Sequence, residues 1–244
     1  MGTRRRTPRS DAADRAGVRL AAAGAGLLAL GLLVGPLALL VHGGWSPLVD
    51  LDGAVTRRAE DLLRDVPGLL GVAALLTHLG APLVLTLVTA AGAAVLWRRG
   101  HGRLALYLLA ARAGALLLST SLKAAVGRAR PVFEDPVASA FGQSFPSGHA
   151  LGAAAFWPVA AVVVLPLVPV LRRRAVLAAA VVVPVVVAAT RVLLGVHFLS
   201  DVVAGLVLGG GWAAVCTTLF ALWRREEGRP VRPYEQGMAP ELDR

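Results

Sequence analysis

Residues 20–41 read LAAAGAGLLALGLLVGPLALLV, from Leu20 to Val41, 22 residues without a charge. At ~1.5 Å of rise per residue a helix of that length reaches roughly 33 Å, enough to cross the hydrocarbon core of a bilayer. A secretory signal has a shorter apolar core that ends in a small-residue cleavage site. This run ends instead at Val41-His42-Gly43-Gly44-Trp45, so it reads as a retained first span. The arginines at positions 4–6 echo a twin-arginine export signal, which is the lesser reading.

The rest of the chain has the same character. Hydrophobic residues make up 56% and charged residues 16%, far from the balance of a soluble domain. The 27 glycines and the abundant alanines suit helices that pack closely in lipid. The net charge of +10 does not indicate nucleic acid, because the arginines cluster at the ends of apolar runs rather than along one stripe. The lone Cys216 lies in an apolar run and has no partner for an intramolecular disulfide.

Working outward from the first run, the composition predicts an all-α, polytopic membrane bundle of about six transmembrane helices. Residues 45–65 mix Asp50, Asp52, Arg57, Arg58, Glu60, Asp61, Arg64 and Asp65 with Leu51, Val55, Leu62 and Leu63. They read as an amphipathic helix at the interface or a solvated loop helix. Residues 66–97 carry no formal charge, and Gly80-Ala81-Pro82 breaks them, so the second span is placed at 74–97. His78 beside that break reads as a structural histidine more readily than as part of a site entrance. The remaining spans are 104–122, 150–170, 175–194 with a bend at Pro184, and 202–223 with Gly205 and Gly209 at small-xxx-small spacing. Arg112, inside the third span, reads as structural, with snorkelling towards Arg103 as the alternative. Residues 1–19 form a basic cytoplasmic segment, 20–223 the membrane domain, and 224–244 a disordered cytoplasmic tail.

The basic residues set the orientation. With the N-terminus inside, segments 1–19, 97–103, 171–174 and 224–244 hold 17 of the 25 lysines and arginines. Both termini are then cytoplasmic. The polar segments 123–149 and 195–201 fall together on the extracytoplasmic side.

Those segments concentrate the chemistry. Lys123 is the only lysine. Lys123, Arg130 and Arg191 would repel one another unless an anion sat among them, and guanidinium forks match phosphate oxygens. Arg128 is read as facing loop solvent. Pro146-Ser147-Gly148-His149 precedes an apolar helix, with Ser147 as its cap and Gly148 allowing close backbone approach, so the helix start is an anion site. His197 and Asp201 are four apart and share a helix face, and a carboxylate on one ring nitrogen makes the other a better nucleophile. Asp201 is the only acid between Asp135 and the tail. Together they predict a two-step hydrolysis: His197 attacks phosphorus, and His149 protonates the leaving oxygen and then activates water. The acids are too few and scattered for a two-metal site, so no metal and no cofactor is expected.

Lys123, six residues, Arg130-Pro131; then Pro146-Ser147-Gly148-His149; then Arg191, five residues, His197, three residues, Asp201: this order resembles the three-part motif of the type 2 phosphatidic acid phosphatase superfamily. The resemblance covers roughly residues 70–223. Thr190 stands where that family usually has serine, and a hydroxyl remains. The resemblance implies a six-helix membrane core, the histidine roles above, and phosphate contacts from Lys123, Arg130, Ser147, Gly148 and Arg191. It also implies a lipid phosphate or diphosphate that enters from the membrane. The expected activity is a phosphatase in the cell membrane facing the extracytoplasmic side, with undecaprenyl-diphosphate phosphatase as the specific alternative. A non-catalytic transporter or binding protein is the different-class alternative, and intact motifs count against it. Membrane lipids are the expected partners, and oligomeric state is open.

Overall fold

The computed structural model describes residues 8–133 and 136–226, and among them it contains helices and connecting turns without strands. The helices are α1 (Pro8–His42), α2 (Ser46–Asp65), α3 (Leu69–Leu76), α4 (Pro82–Arg98), α5 (Gly102–Val126), α6 (Gly148–Val164), α7 (Val170–Leu193) and α8 (Leu199–Glu226). One 3-10 turn, Thr77–Gly80, leads into α4 and another, Leu165–Leu167, extends α6. The expected basic N-terminal segment falls partly, and the expected tail almost wholly, outside the described residues.

Among these helices α1, α5, α6, α7 and α8 are long and apolar enough to cross a membrane. Helix α4 is apolar but has 17 residues, about 26 Å at ~1.5 Å per residue. The second span therefore differs from the expected 74–97. Pro82 lacks the N–H needed inside a helix, so it stands at a helix start and the chain breaks at Ala81 rather than running through. Helices α2 and α3 meet at a 119° bend after Asp65. Lipid-spanning backbone must satisfy its own hydrogen bonds, which is why each apolar run closes into helix.

Helix α6 is the centre of the bundle. It packs against α8, α7, α5 and α4, while α1 leans on α8. Gly205 and Gly209 of α8 bring its backbone close to that of α6: a Cβ on Gly209 would lie 2.3 Å from the carbonyl oxygen of Leu151. Phe145 is fully buried and plugs the bundle beneath the loop before α6, together with Leu151, Ala204 and Leu208. At the opposite end Tyr107 stacks on Phe220 at 4.8 Å between ring centroids. Large apolar side chains left exposed, such as Leu32 and Leu33 on α1 and Val181 and Val182 on α7, lie on the outer faces of the spans.

Three further features bear on the sequence reading. Arg172, Arg173 and Arg174 are not a loop but the first turns of α7. Arg112 takes the structural role expected of it rather than snorkelling: it is 7% exposed, and its guanidinium donates to Thr86 Oγ1 at 2.9–3.0 Å and to the Pro82 carbonyl at 2.6 Å. It thereby fastens α5 to the first turn of α4, whose Pro82 carbonyl Thr86 also uses. Helix α2 turns a polar stripe inward, with Asp52, Thr56 and Glu60 buried beside Leu63, while Val49, Leu51 and Leu62 are exposed.

Candidate active site

The site lies at one end of the bundle, where α1, α5 and α6 meet. His42 Nδ1 lies 3.2 Å from the Val126 carbonyl, so the end of α1 and the end of α5 share this face. Three pieces of chain converge here: the last turn of α5 with its following loop, the start of α6, and the turn between α7 and α8.

Helix α5 outruns the expected span and ends at Val126, where Gly127 takes the left-handed conformation (φ 66°) and its N–H bonds the Lys123 carbonyl. Lys123 is therefore held on helix rather than on loop, and its ammonium donates to the Gln143 carbonyl. Arg130 gathers the same loop. It donates to the carbonyls of Gly142 at 3.0 Å, Phe141 at 3.1 Å, Gln143 at 3.3 Å and Val196 at 2.7 Å. Its Nη1 also lies 3.1 Å from His197 Nε2.

A guanidinium has no acceptor, so Nε2 of His197 accepts that contact and the ring proton sits on Nδ1. Nδ1 faces Ser144 Oγ at 3.3 Å and Asp201 Oδ2 at 3.4 Å, and Ser144 Oγ in turn donates to Asp201 Oδ2. His197 is 2% exposed and Asp201 0%. Burial pulls the His197 pKa down to about 4, with Asp201 opposing and Arg130 and Arg191 reinforcing the shift. Burial likewise lowers the Arg130 pKa from its ordinary value, opposed by Asp201. At neutral pH His197 is thus an uncharged imidazole whose Nε2 lone pair faces the cations.

The expectation that His197 and Asp201 lie on one helix face needs correction. His197 is in the turn before α8, which begins at Leu199. Asp201 sits in the first turn and accepts from the Phe198 N–H at 2.9 Å, half of a capping box. The same carboxylate thus fixes the start of α8 and the imidazole beside it.

Helix α6 begins as the sequence predicts. Ser147 is its cap and accepts from the Ala150 N–H at 3.5 Å, while its own N–H reaches the Asp201 carbonyl at 3.0 Å. Gly148 opens the helix, close enough to α5 that a Cβ would meet Ser119 Oγ at 3.3 Å. His149 follows and lies within electrostatic reach of Arg191, His197, Arg130 and His78. His78 is exposed on the 3-10 turn, not in a structural niche. Arg191 is buried; its Nη1 donates to Thr77 Oγ1 at 2.9 Å, and among the described residues its Nε has no hydrogen-bond partner. Thr190 bonds the Val187 carbonyl at 2.6 Å, so its hydroxyl serves its own helix.

All eight expected site residues therefore gather in one place. Arg128 does not face solvent. It donates to Asp201 Oδ1 at 2.8 Å, Ser200 Oγ at 2.7 Å and Asp52 Oδ2 at 2.7 Å, with the Phe198 ring 4.0 Å from its guanidinium carbon. The sequence offered a signal, since a second arginine two residues before Arg130 has little use in water. Ser144 and Asp52 join the site as well; Ser144 stands within the polar stretch, and Asp52 has no local sequence pattern to mark it.

A family model described as PAP2 superfamily matches residues 104–225, half of the chain, and Lys123 to Asp201 lie within it. A phosphatidylglycerophosphatase B of Bacillus subtilis (strain 168) is 37% identical over 176 residues, covering 71% of this chain and 84% of that protein. The chain belongs to the PAP2 superfamily. A lipid A 1-phosphatase of Rhizobium etli is 34% identical over 114 residues, which is 43% of this chain and 45% of that relative. A crystal structure of a transmembrane PAP2-type phosphatidylglycerolphosphate phosphatase from Bacillus subtilis superposes with a TM-score of 0.68 at 34% identity, covering 78% of this chain and 94% of that one. The PAP2 protein described here is accordingly a multi-span membrane phosphatase.

Proposed function

We propose that this PAP2 protein hydrolyses a lipid phosphate monoester or diphosphate at the extracytoplasmic face through a phosphohistidine on His197. The observation that carries the reading is the contact of Arg130 Nη1 with His197 Nε2, which assigns the ring proton to Nδ1. Nδ1–H points to Ser144 and Asp201, and Nε2 is an unprotonated lone pair 3.1 Å from Arg130 Nη1. A phosphoryl group at Nε2 would take over that guanidinium donor and meet the unspent Nε of Arg191.

Nε2 attacks phosphorus, the bond to the lipid oxygen breaks, and His149 gives that oxygen its proton. His149 then takes a proton from water; the hydroxide attacks phosphorus, the P–N bond breaks, and inorganic phosphate leaves. Lys123, Arg130, Arg191 and the N–H groups after Ser147 bear the charge that builds on the equatorial oxygens. These fixed cations take the role that metal ions play elsewhere, so the reaction is expected to proceed in EDTA. The activities of the relatives favour a phospholipid or lipid-linked phosphate, and undecaprenyl diphosphate belongs in the same trial.

The test is phosphate release in detergent from phosphatidic acid, phosphatidylglycerophosphate, and polyprenyl mono- and diphosphates. Wild type is expected to cleave at least one of them, vanadate to inhibit, and a labelled lipid to leave acid-labile phosphohistidine on the protein. His197→Ala should lose more than about 10⁴-fold in kcat, as when a nucleophile is removed elsewhere. Substantial turnover by that folded variant would sink the nucleophile assignment.

A further inference from the structure

Asp52 is a carboxylate of α2, 1% exposed, and its segment lies outside residues 104–225 that match the family. It accepts from the Ser200 N–H at 2.9 Å, Ser200 Oγ at 2.5 Å and Arg128 Nη2 at 2.7 Å. Arg128 extends its other arm to Asp201 Oδ1 at 2.8 Å, and Asp201 Oδ2 meets His197. One guanidinium thus bridges two buried carboxylates, and the second of them holds the imidazole.

We infer that Asp52 is a positioning residue for the nucleophile, acting through Arg128 on Asp201. The reason is charge. Asp201 and Arg128 alone would be a neutral pair, and a neutral pair gives an imidazole little help when it turns cationic. Attack through Nε2 with Nδ1–H retained places positive charge on the His197 ring, against the field of Arg130, Arg191 and Lys123. With Asp52 added, the cluster behind the ring carries a net −1, and in a low-dielectric interior that charge acts at close range. Asp52 also fixes where Arg128 sits, because its carboxylate grips Ser200 at the start of α8. The charged or titratable groups facing His197 are Arg130 from the loop, Asp201 from α8, His149 from α6 and Arg191 from α7, with Asp52 one step behind.

This inference rests on the phosphohistidine reading, and the experiment separates the two. Rapid-quench trapping with a labelled lipid phosphate is run on wild type, Asp52→Asn and Asp52→Glu, each normalised to folded protein by its thermal melt. The Asn variant keeps the shape and one oxygen for the Ser200 N–H, but it removes the charge and turns an NH2, which cannot accept, towards Arg128. It is expected to form phosphoenzyme about 10- to 100-fold more slowly, with KM changed less than about twofold, the size of effect that an outer carboxylate has on a ligating histidine. The Glu variant should regain much of the rate. An Asn variant that phosphorylates at the wild-type rate per folded molecule overturns the inference. If that variant does not accumulate, Ser200→Ala takes its place and should slow kcat about fivefold or more at constant KM, because Ser200 Oγ bonds both Asp52 and Arg128; an unchanged kcat is equally fatal. Should wild type release phosphate without a trappable intermediate, the nucleophile reading fails. In that case the split of kcat against KM in the Asn variant still decides for or against Asp52.

Discussion

At the scale of single residues, His197 shows how one side chain is made reactive by its neighbours. Burial keeps it neutral, Arg130 leaves Nε2 as the acceptor, and Asp201 holds Nδ1. The pH consequence has a definite sign. The folded-state pKa of about 4 lies below the ordinary imidazole value of ~6.5, so the unfolded chain binds more protons between those two values. The stability that neutral His197 contributes is full above pH ~6.5 and is lost progressively as pH falls towards 4. The melting temperature in detergent should therefore drop between pH 7 and pH 4.5, and the drop should be smaller in His197→Gln, which has no such proton to take up. An equal drop in both proteins would show that His197 is not the group concerned.

Site residues were legible in the sequence where a local pattern carried the physics. Ser147 before an apolar run is a cap wherever it occurs, and the lone lysine and paired histidines stood out against an apolar chain. They were less so where the partner lay far along the chain. Arg128 looked like loop charge because its two carboxylates, Asp52 and Asp201, are 76 and 73 residues away. Asp52 was one acid among several in a mixed segment, and nothing local distinguishes the acid that faces inward.

At the scale of elements, the spans were legible because uncharged runs must close into helix in lipid. Their ends were less so. Arg172–Arg174 looked like a loop, yet arginine is a good helix former and a long side chain at a helix end can reach out of the apolar zone. The spacing of Gly205 and Gly209 did foretell a close contact, and its partner proved to be α6. That contact seats Ser147 and His149 beside Asp201, so it should be sensitive to a single methyl group. Gly209→Ala would drive a Cβ to 2.3 Å from the Leu151 backbone oxygen, where nothing can swing aside. The expected cost is about 1–3 kcal/mol of overpacking, read as a lower melting temperature in detergent. Gly210→Ala is the control, with no atom near its Cβ position, and should melt like wild type. Two equal melts would mean that α6 and α8 do not approach so closely.

At the scale of the whole molecule, the sorting of charge along the chain and the geometry of the bundle agree on which groups share an end. Arg103 at the start of α5 lies over the Trp223 ring near the end of α8, 5.0 Å from its centroid, far from the site end where His42 meets Val126. The arginines at the end of α4 and at the starts of α5 and α7 therefore sit at one end and the phosphate chemistry at the other, which is the arrangement expected of a lipid phosphatase working outside the cytoplasm. Cys216 is buried and is the only native cysteine, so single introduced cysteines report the two faces without interference. Ser139→Cys, exposed in the loop before α6, should react with a membrane-impermeant thiol reagent in intact cells. Leu171→Cys, at a position 95% exposed beside the arginine triplet, should react only after permeabilisation. The reverse pattern would place the site in the cytoplasm. The lipid would then have to present its phosphate to the inner face, and the arginine clusters would need a cause other than topology.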